Sequence, residues 1–82
     1  MEQMNHEYYI EGILIKGRVR YQDSCPVKGA IVILEKCTSE PDEESQEGTY
    51  MEHARTNEWG EFCFSILDKT ISYKIKVFDN LH

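Results

Sequence analysis

Apolar and polar residues alternate along several segments of the chain, a pattern typical of β-strands that bury one face. Residues 13–21, ILIKGRVRY, place three basic residues outward and four residues inward: Ile15, Gly17, Val19 and Tyr21. Residues 61–67, EFCFSIL, place three residues inward: Phe62, Phe64 and Ile66. Residues 71–78, ISYKIKVF, place Phe78 outward and four residues inward: Ile71, Tyr73, Ile75 and Val77. We therefore expect these inward positions to share one core.

Residues 30–36, AIVILEK, predict a strand that is apolar on both faces. Ile31 and Ile33 point outward, away from the inward-facing set of Ala30, Val32 and Leu34. Both faces of this strand are therefore expected to need cover. Residues 7–13, EYYIEGI, fit either a separate edge strand or an extension of the first strand.

Turn-forming residues separate these segments. The stretch QDSCPVKG, residues 22–29, holds Asp, Ser, Pro and Gly and ends the first strand. Asn57 and Gly60 bound a tight turn in which Asn can bond nearby backbone and Gly can adopt a positive φ. This turn predicts a hairpin that joins the weaker strand at 49–56 to the strand at 61–67. No segment shows sustained helical periodicity, so the sequence predicts an all-β fold.

The length and the charge of the chain narrow the class of protein. Its 82 residues make one small domain, and its formal net charge of -6 disfavours binding to the phosphates of nucleic acid. No apolar run is long enough to span a membrane, so we expect no membrane insertion. The first twelve residues carry three glutamates and do not fit a signal peptide, which predicts a cytoplasmic location.

The acidity is concentrated between Glu35 and Glu61, where there are nine acidic and two basic residues. Its densest part, residues 39–48, SEPDEESQEG, contains no apolar residue and predicts a solvated loop. A cation site is the alternative, but the segment lacks the alternating ligands and the central glycine of a calcium loop. A salt-sensitive contact with a basic partner is a third interpretation. We expect no metal and no cofactor.

Three cysteines, Cys25, Cys37 and Cys63, lack the C-x-x-C spacing of zinc and dithiol sites. Free thiols are expected, and a Cys37–Cys63 bridge stays open. A catalytic cysteine would need a positioned histidine, for which His53 is the one candidate outside the termini. Since nothing else supports such a site, we expect no catalytic residues and no enzyme activity.

Four motifs follow one another along the chain: I-x-G-x-V at 15–19, P-V-x-G-A-x-V-x-L at 26–34, T-N-E-W-G-E-F-x-F at 56–64 and Y-x-I-x-V at 73–77. Their order and spacing resemble the carboxypeptidase regulatory-like domains. The resemblance implies a single prealbumin-like (transthyretin-like, Ig-like) antiparallel β-sandwich of about seven strands, whose first hairpin carries the P-V-x-G-A turn. That family is a scaffold without catalytic residues, and it leaves an extracellular location open as an alternative.

The domain organisation follows from these assignments. We expect an N-terminal segment at 1–12, a β-sandwich at 13–78 with the acidic loop at 39–48, and a C-terminal tail at 79–82. Tyr73 begins the last strand on the inward side, where its hydroxyl needs a partner. We expect this hydroxyl to make a bond like that of a tyrosine corner.

The leading functional hypothesis is a non-catalytic interaction or structural module. Ile31, Ile33 and Phe78 face outward and are candidates for an interface with a protein partner or in a homo-oligomer. In the alternative interpretation, the chain's own segment Tyr8–Leu14 covers Ile31 and Ile33.

A second hypothesis is a module that binds carbohydrate or another small ligand through exposed aromatic residues. Trp59, within the predicted turn, is the candidate for stacking on a ligand. We favour its packing over the end of the sheets, because large aromatic side chains are seldom left exposed.

Overall fold

The computed structural model describes residues 3–37 and 49–79. These residues contain no helix and six strands: β1 (Met4–Glu11), β2 (Leu14–Tyr21), β3 (Ile31–Cys37), β4 (Thr49–Arg55), β5 (Glu61–Ser65) and β6 (Ser72–Phe78). They form two antiparallel sheets, in the orders β1-β2-β5 and β4-β3-β6. The all-β prediction is confirmed, but the described part of the chain has six strands where about seven were expected. The predicted acidic loop at 39–48 lies outside the described residues.

The two sheets share one hydrophobic core. Its buried members are Ile15, Val19, Val27, Ala30, Val32, Leu34, Phe62, Phe64, Ile66 and Ile75. Val27, Ala30 and Ile66 come from the connections between strands. Burying one large aliphatic or aromatic side chain contributes about 1.5–3 kcal/mol. The three strands predicted from alternation and the strand that is apolar on both faces thus contribute inward side chains to one core, whereas Ile71 lies outside it.

β1 is a separate strand at the edge of its sheet. It pairs with β2 over its whole length, from Met4 opposite Tyr21 to Glu11 opposite Leu14. Of the two interpretations of residues 7–13, the structure therefore shows the edge strand.

A glycine in β2 allows a large ring to lie over the strand. Gly17 pairs directly with Phe62 of β5. A Cβ on Gly17 would lie 2.1 Å from Cζ of the Phe62 ring and 2.7 Å from the carbonyl oxygen of Glu7. The ring thus fills the space that a side chain at Gly17 would occupy. This packing explains a glycine inside a strand, where it otherwise weakens pairing.

The connections from β2 to β3 and from β4 to β5 both cross from one sheet to the other. The turn at 57–60 forms as the sequence predicts, because Gly60 has a φ of 76° and its N–H donates to the Asn57 carbonyl at 3.0 Å. The flanking strands, however, pair with β3 and β2 and not with each other, so the predicted hairpin is wrong. The expectation that the first hairpin carries the P-V-x-G-A turn is also wrong, since the first hairpin joins β1 to β2.

Hydrogen bonds of Thr56 and Val19 link the connection between β2 and β3 to the connection between β4 and β5. The Thr56 hydroxyl accepts from the Ala30 N–H at 2.9 Å and donates to the Val27 carbonyl. The Val19 N–H donates to the Gly60 carbonyl at 2.7 Å, and the Val19 carbonyl accepts from the Val27 N–H at 3.0 Å. At this end of the fold the two sheets are therefore joined by hydrogen bonds as well as by the core.

Tyr73 and Asp68 close the connection from β5 to β6. The Tyr73 hydroxyl donates to the Asp68 backbone carbonyl at 2.7 Å, which confirms the predicted tyrosine bond. Asp68 Oδ1 accepts from the hydroxyl and from the N–H of Thr70, and these bonds hold the pKa of the carboxyl below its ordinary value. A depressed pKa means that the contribution of this carboxylate to stability is present above the unfolded-state pKa and is lost as the pH falls.

Candidate binding surface

Three apolar residues on the outward side of the β4-β3-β6 sheet form a surface that we call the β3 face: Ile31, Ile33 and Phe78. Ile31 pairs with Phe78 of β6, and Ile33 lies two positions further along β3, so the three side chains share one side of the sheet. Ile31 and Ile33 are half-buried, and Phe78 is 50% exposed. The structure thus brings together the three residues that the sequence analysis singled out.

Polar side chains border the β3 face on both neighbouring strands. Arg55 and His53 of β4 pair with Ile31 and Ile33, respectively. Lys76 of β6 pairs with Ile33 from the other side. Since paired residues lie on the same side of a sheet, these side chains form a polar rim around an apolar centre.

Glu35 lies on the same side of β3 at one end of the face and is 9% exposed. It pairs with Tyr50 of β4 and Lys74 of β6. Its Oε1 atom lies 3.5 Å from Nζ of Lys76, and this ion pair offsets part of the cost of removing the carboxylate from water. On β4, the Tyr50 hydroxyl lies 2.7 Å from Nδ1 of His53. The rim therefore contains side chains that already contact one another.

The N-terminal segment does not cover the β3 face. The alternative interpretation placed residues 8–14 over Ile31 and Ile33. β1 instead pairs with β2 in the other sheet, and the turn after it leads into β2. That alternative is wrong.

Trp59 lies at the tip of the turn between β4 and β5. Its N–H and that of Glu61 both donate to Oδ1 of Asn57 at 2.9 Å, so the backbone of the turn is ordered by one side chain. The Trp59 side chain is 61% exposed, so the expectation that it packs over the end of the sheets is wrong. An aromatic ring that is held on an ordered turn and open to solvent can stack on a flat ligand.

An open groove of about 840 Å³ is lined by residues of β1, β2 and β5 and by the end of β4. Tyr8, Tyr9, Arg18 and Glu61 are among its lining residues, and Trp59 is not. Arg18 Nη2 lies 3.4 Å from Glu61 Oε2, so these two charged groups already pair with each other. The groove and Trp59 therefore do not form one ligand site.

Two of the cysteines considered for catalysis, Cys37 and Cys63, lie in different sheets. Cys63 is on the outward side of β5, paired with Lys16, and Cys37 ends β3 in the other sheet. Neither forms a disulfide, and His53 contacts Tyr50. Within residues 3–37 and 49–79, no group of three or more His, Cys, Asp or Glu side chains is arranged to hold a metal ion.

The exposed inner side of β1 does not follow from the sequence pattern. Tyr8 and Ile10 pair with Gly17 and Ile15, which places them on the core side of the sheet, yet they are 42% and 54% exposed. The available signal was the alternation in residues 4–10, MNHEYYI. That alternation indicates a strand, but it does not show that the second sheet leaves Tyr8 and Ile10 uncovered.

Comparisons of the chain with models of protein families, with curated proteins and with solved structures gave no match. In the described part of the chain, no helix has the length and apolar character needed to cross a membrane.

Proposed function

We propose that this protein is a non-catalytic interaction module that binds a protein partner through the β3 face. The observation that carries the proposal is the position of Ile31 opposite Phe78, with Ile33 beside them, on a side of the sheet that β1 leaves uncovered. Apolar patches that are rimmed by polar residues are typical of protein–protein interfaces. Burial of such a patch contributes about 25 cal/mol per Å² of apolar area.

We further propose that the two sheets stack as a prealbumin-like β-sandwich, similar to the carboxypeptidase regulatory-like domains. The shared core, the tight turn at 57–60 and the bond from Tyr73 to Asp68 support this proposal. Because that family is a scaffold without catalytic residues, the resemblance favours binding over catalysis. One implied detail differs in this chain, since the P-V-x-G-A segment connects two sheets and not two strands of a hairpin.

The charges of the rim favour an acidic partner. Arg55, Lys74 and Lys76 border the β3 face, whereas Glu35 is the carboxylate on this side of the described sheet. A complementary partner places an apolar side chain over Ile33 and carboxylates over the cationic rim. Such complementary charges accelerate association, and their effect weakens as salt is added.

Site-specific photo-crosslinking tests whether the β3 face is occupied. A photo-reactive amino acid in place of Ile33 is expected to capture a protein partner in the cells that make this chain. The same amino acid in place of Leu67 is expected to capture none, because Leu67 is 98% exposed and lies outside both sheets. Equal capture at both positions, or none at Ile33, would contradict the proposal.

The captured protein then allows a direct measurement of affinity. Ile33→Asp is expected to raise the Kd by about tenfold or more, because a carboxylate is placed in an apolar contact. Leu67→Asp, the matched control, is expected to leave the Kd unchanged. Calorimetry measures the affinities, and circular dichroism checks that each variant folds. An unchanged Kd for Ile33→Asp would rule out the β3 face as the binding surface.

A second candidate function is the binding of carbohydrate or another small ligand at Trp59. The exposure of this side chain on an ordered turn favours it. Trp59 is the single tryptophan of the chain, so its fluorescence reports on this position alone. A ligand that stacks on the ring is expected to change the fluorescence in a saturable manner. No change across a panel of glycans would count against this function.

A further inference from the structure

The four edges of the two sheets differ in their protection against pairing with another chain. Exposed edges expose backbone hydrogen-bonding groups, and proteins usually protect them with short strands, bulges, lysines or inward-pointing charges. β5 has only five residues, and β6 carries Lys74 and Lys76. β4 has a register shift opposite Leu34 and Glu35, and its Glu52 pairs with Leu34 on the core side. Each of these three edges therefore has a protective feature.

β1 has none of these features. Its eight residues, MNHEYYIE, include no lysine and no proline, and it pairs with β2 without a register shift from Met4 to Glu11. Tyr8 and Ile10 lie on its core side but remain exposed, so the second sheet does not cover this part of β1. A long, regular and partly apolar edge strand is a template on which another strand can add.

We propose that β1 pairs antiparallel with β1 of a second copy of this chain, with Tyr8 opposite Tyr8 of the second copy on a two-fold axis. The dimer then contains a continuous six-stranded sheet in the order β5-β2-β1-β1-β2-β5. The contact uses the same strand from each copy, so it closes after two copies. It lies on the sheet that does not carry the β3 face, and it is independent of the function proposed above.

Two requirements select this register. A two-fold axis perpendicular to the sheet keeps the core sides of both strands on one side, so inward residues must pair with inward residues. Like charges must also not lie opposite each other, because such pairs are destabilising. Centring the contact on Tyr8 places Glu7 opposite Tyr9 and Glu11 opposite Asn5, so no two carboxylates meet.

The neighbouring registers satisfy these requirements less well. Centring on Glu7 places the two copies of Glu7 opposite each other. Centring on Tyr9 places Glu7 opposite Glu11. Centring on His6 pairs five positions of β1, at 4–8, whereas centring on Tyr8 pairs seven, at 5–11. The register on Tyr8 therefore combines the longest pairing with the absence of like-charge pairs.

The rows of side chains across this dimer are complementary. On the core side, Tyr8 meets Tyr8 of the second copy, and cross-strand aromatic pairs are stabilising. On the solvent side, Lys16 pairs with Tyr9 and Glu7 pairs with Arg18 within each chain. The proposed register places Tyr9 of one copy opposite Glu7 of the other. A row across the dimer thus contains Lys16 and Tyr9 of one copy, followed by Glu7 and Arg18 of the other copy. Positive and negative charges alternate along this row.

A charge exchange at Tyr8 tests both the dimer and its register. The wild type is expected to sediment as a dimer in analytical ultracentrifugation. Tyr8→Lys and Tyr8→Glu are each expected to raise the dimer Kd by about tenfold or more, because like charges replace an aromatic pair. An equimolar mixture of the two variants is expected to recover the dimer, since the lysine of one copy then lies opposite the glutamate of the other.

Matched controls separate this contact from other effects. Leu67→Lys, at a 98% exposed position, and Ile33→Asp, on the β3 face, are both expected to keep the wild-type dimer. Tyr8 is 42% exposed, so its variants are expected to fold, which circular dichroism checks. The proposal is overturned by a wild type that stays monomeric at every concentration or by a Tyr8→Lys variant that dimerises as tightly as the wild type. A mixture of variants that fails to recover the dimer overturns it as well.

Discussion

Gly60→Ala is expected to lower the free energy of unfolding by about 3 kcal/mol or more. Gly60 has a φ of 76°, and a Cβ there would lie 2.3 Å from the carbonyl oxygen of Val19 and 3.1 Å from the nitrogen of Val27. Both are backbone atoms that are hydrogen-bonded to each other, so they cannot rotate away as a side chain could. The added methyl group therefore displaces the end of β2 and both crossings.

Gly29→Ala is the matched control for this substitution. Gly29 has the same φ of 76°, but no atom lies within 4 Å of the position of its Cβ. The free energy of unfolding of this variant is expected to fall by about 1–2 kcal/mol, which is the strain of an alanine in the left-handed backbone conformation. Urea unfolding curves of the two variants and the wild type measure the difference. Equal losses would contradict the close approach of Gly60 to Val19.

Thr56→Val is expected to lower the free energy of unfolding by about 2–3 kcal/mol. The substitution keeps the shape of the side chain but removes the hydroxyl, which bonds the Ala30 N–H and the Val27 carbonyl. Thr56 is 5% exposed, so water cannot readily replace the lost partner. A buried donor that has no hydrogen-bond partner destabilises the folded state by the full free energy of removing it from water.

Thr56→Ser is the matched control because it keeps the hydroxyl and removes only a methyl group. Its expected loss is about 1 kcal/mol, near the value for one buried CH₂ group. Thermal and urea unfolding of both variants measure the difference. If serine and valine destabilise the protein equally, the hydroxyl does not hold the two crossings together.

The core could be predicted from the sequence because a strand with one buried face alternates with a period of two. The inward positions of Val19, Phe64 and Ile75 follow from the neighbouring residues alone, and all three belong to the core. The turn at 57–60 was predictable for a similar reason. An Asn side chain that bonds nearby backbone and a Gly that adopts a positive φ are local properties.

The pairing of the strands could not be predicted in the same way. The turn at 57–60 specifies that the chain reverses, but β4 and β5 then enter different sheets. They diverge where Thr56 bonds Ala30 and where Gly60 bonds Val19. These partners lie far away in the sequence, and no local pattern encodes them.

The candidate surface was predictable only in part. Apolar residues at both Ile31 and Ile33 indicate a strand whose second side avoids water, and this signal is local. Which segment covers that side depends on the order of the strands, which placed β1 in the other sheet. The exposure of Trp59 depends likewise on the direction in which the turn points, and the sequence does not specify that direction.

Neither sheet is assembled from one half of the chain. Arg18 of β2 pairs with Glu61 of β5, and Ile31 of β3 pairs with Phe78 of β6. The first three strands alone would leave β3 without either neighbour, and the last three would leave β5 without β2. Because the strands of each half have their sheet neighbours in the other half, folding one half alone forms few of the stabilising contacts. The protein is therefore expected to unfold as one cooperative unit, with no independently stable fragment.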